Sequence, residues 1–173
     1  QSDITARRHA VAARREAEER GRSTQALFAE ALNAAGLGLC VFDNQDRLVF
    51  HNEAYAKLFP EIAILFKPGV RFEDILRASQ AIRAFDDIHG DPEDWLAKRL
   101  ALRRNPTGPI TRRRADGATL QVIETRTRDG GTVQLCKDIT DLVSAQRNLE
   151  SQVSELEIAR DASTALAQVA SLE

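Results

Sequence analysis

The sequence has little of several residue types that would point to a specialised chain. It contains no Met, two Cys, five Pro, one Trp and one Tyr among 173 residues. Its longest apolar run, Gly36 to Phe42, is far shorter than the ~20 residues of a membrane-spanning helix, which excludes a span within the chain. Because it begins at Gln1 and lacks Met, we expect a piece of a longer protein, with a membrane anchor elsewhere left open. The terminal Leu172-Glu173 is consistent with a cloning remnant.

Neither the charge nor the cysteine content indicates an unusual environment. The chain carries 24 basic and 26 acidic residues, a net charge of −2, so no strong field attracts nucleic acid or an anionic membrane. Cys40 and Cys136 both lie in apolar stretches, which indicates buried thiols in a reducing cytosol rather than a disulfide framework. A redox-sensing role for this pair is the alternative. We therefore expect a cytoplasmic chain that contacts neither nucleic acid nor membrane.

The sequence also lacks the motifs of catalytic and metal sites. It has no nucleophile–base–oxyanion set, no Gly-rich phosphate loop and no metal-ligand spacing. One acidic cluster has neither the alternating oxygen ligands nor the central Gly of a calcium loop, and a helix start at Asp91-Pro92 explains half of it. Its members are Asp86, Asp87, Asp91, Glu93 and Asp94. We expect no metal site and no enzymatic activity in this chain.

What the sequence does contain is one domain-sized segment between two helical arms. Residues 1–35 are rich in Ala, Arg and Glu, which predicts a helix, and residues 141–173 are again helical in composition. Between them, residues 36–140 carry the patterns of a β-hairpin, a helix capped by Asn52, further helices and three more strands, an α+β arrangement. The predicted strands are 37–42, 48–50, 110–114, 119–128 and 132–139, and the clearest helix is 92–104.

The C-terminal arm has a heptad pattern. Its apolar seam contains Leu142, Leu149, Val153 and Leu156 and is interrupted by three polar positions. A helix with such a stripe needs a partner helix, so we expect a parallel homodimer. The arm directly follows Asp138-Ile139-Thr140-Asp141, and the same Asp-Ile-Thr triplet opens the chain at residues 3–5. The chain therefore looks like one period of a repeat.

Several segments, in this order, resemble a PAS domain. They are Gly38-Leu39-Cys40-Val41-Phe42-Asp43, Arg47-Leu48-Val49-Phe50-His51-Asn52-Glu53-Ala54-Tyr55, Asp116-Gly117, Gly130-Gly131 and Asp138-Ile139-Thr140-Asp141. The resemblance covers about residues 36–141. It implies a five-stranded antiparallel sheet in the order 2-1-5-4-3, with helices on one face and long helices at both ends. We expect residues 138–141 to transfer the signal, with Thr140 or Asp141 capping the outgoing helix and Asp138 pairing with a nearby Arg or Lys. Ordinary capping of the helix, without a role in signalling, is the alternative.

A PAS domain of this kind would enclose a ligand pocket, with a simple packed core as the alternative. The candidate pocket residues are Val41, Tyr55, Leu58, Leu65, Ile75, Trp95, Leu96 and Leu135. Haem is not expected because helix 92–104 has no His to bind the iron, and covalent flavin is not expected because residues 73–80 contain no Cys. We predict no cofactor. The basic run Arg112-Arg113-Arg114 is expected to be a solvated edge strand rather than an anion site.

The resemblance implies a non-catalytic sensory and dimerisation module of a multidomain signal-transduction protein. Its partners would be a second copy of the chain and an output domain in the same polypeptide. The first expectation for that output is a sensor histidine kinase, and the alternative is a nucleotide cyclase. A structural spacer that relays signals without a ligand is a second class of function, and a docking platform on the outer sheet face is a third. A ligand-sized interior cavity would favour sensing over the spacer.

Overall fold

The structure, a computed structural model, describes residues 2–170, and of residues 2, 3, 5 and 168–170 it describes only the backbone. The expectation for Leu172-Glu173 lies outside the described residues. Within this range the elements follow the predicted order of two strands, helices, then three strands. They are α1 (Ser2–Ala34), β1 (Leu37–Phe42), β2 (Leu48–His51), α2 (Glu53–Leu58), a single 3-10 turn (Ala63–Leu65), α3 (Phe72–Ala81), α4 (Pro92–Arg104), β3 (Ile110–Arg113), β4 (Thr119–Arg126), β5 (Thr132–Asp138) and α5 (Thr140–Ala170).

The strands form one antiparallel sheet in the order β2-β1-β5-β4-β3, which confirms the predicted order. β5 lies at the centre, hydrogen-bonded to β1 on one side and to β4 on the other. Successive residues of a strand face opposite sides of the sheet. Cys40, Phe42 and Cys136 face the helices and belong to the buried core, whereas Val41 and Leu135 lie on the outer face and are half-buried.

Helix α2 packs directly on β1, because Gly38 leaves room for the helix backbone. A Cβ atom at Gly38 would lie 2.9 Å from the Cα of Tyr55, closer than side chains tolerate. Asn52 is the N-cap of α2, as predicted, and its Oδ1 accepts hydrogen bonds from the backbone N–H groups of Tyr55 at 3.0 Å and Leu39 at 2.7 Å. Its Nδ2 donates to the carbonyl of Leu37 at 2.8 Å. One buried side chain thus fixes α2 to β1.

Helix α1 is held to the domain near its C-terminal end. There the Asn33 side-chain oxygen accepts a hydrogen bond from the backbone N–H of Ala54, at 2.9 Å, in the first turn of α2. Gly36, with a φ of 65°, follows the helix end, a position where the left-handed conformation favours Gly. Further upstream, Val11, Leu27 and Phe28 are 48 to 68% exposed.

Helix α4 spans Pro92–Arg104, as predicted, and its buried residues are Trp95, Leu96, Arg99 and Arg103. Its start is fixed by Asp91, whose Oδ1 accepts hydrogen bonds from the N–H groups of Glu93 at 3.0 Å and Asp94 at 2.9 Å. Pro92 at the first helical position lacks an N–H that would need a partner. The helix thereby brings one of its faces, including two arginines, into the domain interior.

Candidate functional site

Strand β5 runs into helix α5 without a break, and Ile139 serves both elements. The N–H of Ile139 donates to the carbonyl of Thr119 at 2.8 Å, which continues the pairing with β4. Its own carbonyl accepts a hydrogen bond from the N–H of Val143 at 2.9 Å, the first bond of the helical pattern. A displacement of β5 would therefore move the start of α5.

Side-chain hydrogen bonds of Asp138 and Thr140 stabilise this joint between β5 and α5, residues 138–140. Asp138 Oδ1 accepts hydrogen bonds from the backbone N–H of Thr140, at 2.9 Å, and from the Thr140 hydroxyl. Thr140 Oγ1 in turn accepts a hydrogen bond from the N–H of Thr119 on β4, at 2.9 Å. The joint is therefore tied to β4 through both backbone and side chain.

The roles of these residues differ from the expected ones. Thr140 binds β4 instead of capping α5, and Asp141 is exposed in the first turn. Within the part of the chain that the structure describes, the Asp138 carboxylate makes its hydrogen bonds to Thr140 and forms no ion pair. The reason is local, since a short Asp side chain reaches the free N–H two residues ahead more readily than a cation on another element.

Helix α5 presents the predicted seam to solvent. Leu142, Leu149, Val153 and Leu156 are 54 to 70% exposed. The polar seam residues Gln146, Arg160 and Ser163 are exposed as well. No other segment among the described residues covers this apolar stripe. The helix is thus available to a partner helix along its length.

A second arrangement, which was not predicted from the sequence, lies between α4 and the sheet. Arg99 donates through its two terminal nitrogens to the two carboxylate oxygens of Glu124 on β4, each at 2.9 Å, and Arg103 Nη1 donates to Glu124 Oε1 at 2.6 Å. All three residues are at most 8% exposed. Burial by itself raises the pKa of Glu124, but the two guanidinium groups outweigh it and hold the pKa below its ordinary value.

Arg103 also binds the β1–β2 turn. Its Nε donates to the two carboxylate oxygens of Asp46, at 2.9 and 3.1 Å. Its guanidinium carbon lies 3.6 Å from the ring centroid of Phe72 and 4.3 Å from that of Phe42, a cation–π arrangement. A charged side chain therefore joins α4, β4 and the first hairpin.

A hydrogen-bonded chain leads from this network to β5. The Tyr55 hydroxyl donates to Gln134 Oε1 at 2.9 Å, and Gln134 Nε2 donates to Glu124 Oε1 at 3.1 Å. Burial raises the pKa of Tyr55 well above its ordinary value, so the hydroxyl stays protonated and remains a donor. Since Gln134 lies on β5, the buried network and the strand–helix joint share one strand.

The sequence does carry a signal for the network. Leu120, Val122 and Glu124 alternate along β4 on its inner face, where a carboxylate needs partners. Arg99 and Arg103 are four residues apart and therefore share one face of α4. Read together, these two spacings predict a buried ion pair.

The expectation of a solvated Arg112-Arg113-Arg114 run is wrong for two of its residues. Arg112 and Arg114 are 8% and 6% exposed, while Arg113 is more than half exposed. Arg112 Nη2 donates to Asp87 Oδ1 at 2.8 Å, and Arg114 Nη2 to Glu61 Oε1 at 2.6 Å. Alternate positions of an edge strand face inward, and long arginine stems can be buried while their heads reach acids at the rim.

The structure does not bring the candidate pocket residues together. The interior cavity measures about 30 Å³, and two of the eight candidates, Tyr55 and Ile75, line it. Val41 and Leu135 belong to the outer sheet face, because strand alternation directs them away from the helices. The others lie in the packed core or near the surface: Leu58, Leu65, Trp95 and Leu96.

The two cysteines lie on the inner face of β1 and β5. Cys40 and Cys136 are free thiols and at most 1% exposed. Burial raises the pKa of Cys40 to about 12 and also raises the pKa of Cys136. Because the thiolate is the reactive form, this environment suits core packing better than redox sensing.

The sequence profile of the PAS fold matches residues 32–147, more than half of the chain. The chain belongs to the PAS fold family. No curated protein sequence matches it.

Solved structures similar to this PAS domain include three of low sequence identity. The PAS domain of an HTR-like protein from Haloarcula marismortui is 13% identical with a TM-score of 0.42, covering 72% of this chain and 99% of the other. An RNA-binding light-oxygen-voltage receptor is 22% identical with a TM-score of 0.38, covering 75% and 37%. The PAS domain of BvgS from Bordetella pertussis is 17% identical with a TM-score of 0.39, covering 77% and 98%.

Residues of the acidic cluster form ion pairs with arginines of this PAS domain or cap a helix. Asp86 pairs with Arg113 at 3.3 Å and Asp87 with Arg112 at 2.8 Å, and Asp91 caps α4. Among the described residues, no group of three or more His, Cys, Asp or Glu side chains could hold a metal ion. Over the same residues, none of the helices has the length and apolarity of a membrane span.

Proposed function

We propose that this PAS domain is a non-catalytic relay and dimerisation module of a multidomain signal-transduction protein. It would pass a change in the domain body through β5 and the joint at residues 138–140 into a paired α5 helix. The observation that carries this proposal is the position of Ile139, which is hydrogen-bonded to β4 on one side and to the first turn of α5 on the other. A strand and a helix that share a residue move together.

The buried network gives the relay its rigidity. Gln134 on β5 is bonded both to Tyr55 on α2 and to Glu124, which holds two arginines of α4. On the input side, Asn33 of α1 is bonded to the first turn of α2. Hydrogen-bonded contacts therefore lead from α1 through α2 to β5. If these contacts have two arrangements that differ in free energy, the difference would bias the packing of α5.

The dimer follows from the exposed seam of α5. Four large apolar residues of the seam are more than half exposed, and pairing two helices in parallel would bury them. Gln146, Arg160 and Ser163 weaken the seam, so two packings of the pair could lie close in free energy. A weak seam suits a helix that must change its packing when a signal arrives.

A structural relay without a ligand is the second candidate, and the interior favours it over sensing of a large ligand. The cavity of about 30 Å³ is far below the roughly 300–1,000 Å³ of pockets that hold drug-sized molecules. Signals would then originate elsewhere and enter through α1.

For the output we propose a sensor histidine kinase in the same polypeptide, with a nucleotide cyclase as the alternative, and a cytoplasmic location for this module. The basis is the resemblance of the two arms to the signalling helices that flank PAS domains. The sequence of the hundred or so residues that follow in the full-length gene decides between the two outputs. A phosphoacceptor His with an ATP-binding motif supports the kinase, and cyclase motifs support the alternative.

The dimer is tested by Leu149→Ala combined with Leu156→Ala. Each truncation of a buried Leu costs about 2–5 kcal/mol, so we expect this variant to dissociate at concentrations where the unmodified chain is dimeric, as measured by light scattering. The matched control is Ile158→Ala with Leu166→Ala, which removes two exposed apolar residues outside the seam and should leave the dimer intact. A monomeric unmodified chain at high concentration contradicts the proposal.

A further inference from the structure

Three arginines from separate elements line one groove on the surface of the domain. Arg71 precedes α3, Arg104 ends α4 and Arg126 ends β4. Their groove, called the arginine groove below, has a volume of about 280 Å³, and Asn44 and Gln45 of the β1–β2 turn also line it. The fold therefore brings three positive charges, distant in sequence, to one concave space outside the packed interior.

The arginines of this groove have few acidic partners of their own. Over the part of the chain that the structure describes, Arg104 and Arg126 form no ion pair, and all three groove arginines are exposed. The carboxylate nearest to Arg71 is that of Glu73, at 3.9 Å, which is beyond hydrogen-bond distance. Their guanidinium groups are therefore open to an acceptor from solution.

The two acids that line the arginine groove are bound to other arginines. Asp46 accepts two hydrogen bonds from Arg103 Nε, at 2.9 and 3.1 Å. Glu73 Oε1 accepts two from Arg77, at 2.9 and 3.2 Å. Because Arg103 and Arg77 lie outside the groove lining, they neutralise these acids without using the groove arginines. The charge that remains in the groove is positive, which favours a ligand with more than one negative charge.

We propose that the arginine groove binds the phosphate group of a small phosphate monoester. Such a phosphate carries close to two negative charges and three acceptor oxygens at neutral pH, and guanidinium groups donate paired N–H bonds that match this geometry. The volume of about 280 Å³ lies just below the roughly 300–1,000 Å³ of pockets for drug-sized molecules. We therefore expect a short ester of the size of glycerol phosphate, whose hydroxyl groups would bind the amides of Asn44 and Gln45.

Arg126 connects this groove to the strand that leads into α5. Its Nη1 donates to Thr132 Oγ1 at 2.8 Å, and Thr132 is fully buried as the first residue of β5. The groove thus lies at the opposite end of β5 from the joint at residues 138–140. A phosphate that binds the Arg126 guanidinium would act on the start of this strand. The site would give the relay proposed above an input, but phosphate binding does not require that relay.

The test is an NMR titration of the full chain with sodium glycerol 3-phosphate. Glycerol alone and, at equal ionic strength, sodium chloride and sodium acetate are the controls. We expect saturable shifts of the Asn44, Gln45 and Arg126 amides with a Kd on the order of 1 mM, as for other ligands of this size. Glycerol and chloride should give no saturable shift, and acetate, with a single charge, should bind at least about tenfold more weakly.

Arg104→Gln and Arg128→Gln form the matched pair of variants. Both remove one exposed positive charge, but Arg104 lines the groove and Arg128 does not. Affinity for glycerol 3-phosphate should fall about tenfold in Arg104→Gln, as for loss of a charge-assisted hydrogen bond, and change less than about twofold in Arg128→Gln. Because Arg104 makes no side-chain hydrogen bond among the described residues, its replacement should not disturb the fold.

The site is overturned if glycerol 3-phosphate gives no saturable shift, if acetate or glycerol binds as well, or if the two variants lose affinity equally. Equal losses would mean that the phosphate responds only to the overall charge of the chain. Should Arg104→Gln lose its fold, by circular dichroism, the comparison of the four ligands on the unmodified chain still decides. Since binding is read by NMR and dimerisation by light scattering, failure of one proposal does not imply failure of the other.

Discussion

Gly38 is a residue at which even a substitution by alanine should have a large effect on stability. The Cβ of an alanine there would lie 2.9 Å from Tyr55 Cα and 3.0 Å from a methyl group of Leu58, and the backbone of α2 cannot move away freely. We expect Gly38→Ala to lower the free energy of unfolding by about 1–3 kcal/mol, as for other overpacked sites. Urea denaturation measures this value.

Gly21→Ala is the control for Gly38→Ala. Gly21 lies in helix α1, and a Cβ there meets nothing within 4 Å. Since Ala is a better helix former than Gly by about 1 kcal/mol, this change should be neutral or slightly stabilising. Equal destabilisation by both variants would contradict the close approach of α2 and β1.

The buried carboxylate of Glu124 should also contribute strongly to stability. Glu124→Gln leaves Arg99 and Arg103 buried without their anion, so we expect a loss of about 3–5 kcal/mol in urea denaturation. Because the folded-state pKa of Glu124 lies below its ordinary value, its contribution is present at neutral pH and is lost as the pH falls below about 4.3, through the folded-state pKa. The variant should therefore lose less stability than the unmodified chain between pH 5 and acid unfolding.

The control for Glu124 is Glu30→Gln, at an exposed position of α1. It should change neither the stability at pH 7 nor the slope of stability with pH. If Glu124→Gln and Glu30→Gln show the same pH dependence, the buried carboxylate does not contribute as its surroundings indicate.

Single residues differ in how far the sequence reveals their roles. The Asn52 and Asp91 caps were predicted and are confirmed, because capping depends on neighbours along the chain. The burial of Arg112 and Arg114 was not predicted, because it depends on which face of an edge strand meets the helices. Asp87 and Glu61, which pair with Arg112 and Arg114, are distant from them in sequence and give no local signal.

At the scale of elements, the joint between β5 and α5 can be tested through Thr140. Thr140→Val removes the hydroxyl that accepts from the Thr119 N–H and donates to Asp138. We expect a loss of about 1–2 kcal/mol, because one backbone donor loses its acceptor. Hydrogen exchange should speed up at Thr119 and in the first turn of α5, and remain unchanged in α3.

Thr164→Val is the matched control for this change. The Thr164 hydroxyl donates to the Arg160 carbonyl within α5 and is exposed, so its loss should have little effect on stability or on exchange at the joint. Equal effects of the two valine variants would indicate that Thr140 does not tie α5 to the sheet.

Elements were easier to predict than the faces that they present. Turn residues such as Asp116-Gly117 and Gly130 delimit the strands, so their order followed from the sequence and its resemblance to PAS domains. The sequence did not show which face of β1 points to the helices, because Leu39 and Val41 on one side are as apolar as Cys40 and Phe42 on the other. Where both faces of a strand are apolar, alternation alone cannot tell which of them meets the helices.

At the scale of the whole molecule, the PAS domain lies between two helical arms. α1 is bonded to α2 through Asn33, and α5 to β4 through Thr140. The pairing of two such molecules is the central claim, because the relay requires that a change in one domain alters how two α5 helices pack. The heptad pattern predicts this pairing from the sequence, and the exposed seam is consistent with it.

Disulfide cross-linking of single-cysteine substitutions tests this claim most directly, since Cys40 and Cys136 are buried and should not react in the folded chain. A parallel pair brings each seam residue next to its own copy, so Gln146→Cys and Val153→Cys should both form covalent dimers under mild oxidation, whereas Ser151→Cys, on the opposite face of α5, should not. An antiparallel pair would allow self-contact at no more than one of the two seam positions. Cross-linking at both seam positions and not at residue 151 is the predicted result, and no cross-link at either seam position would contradict the account.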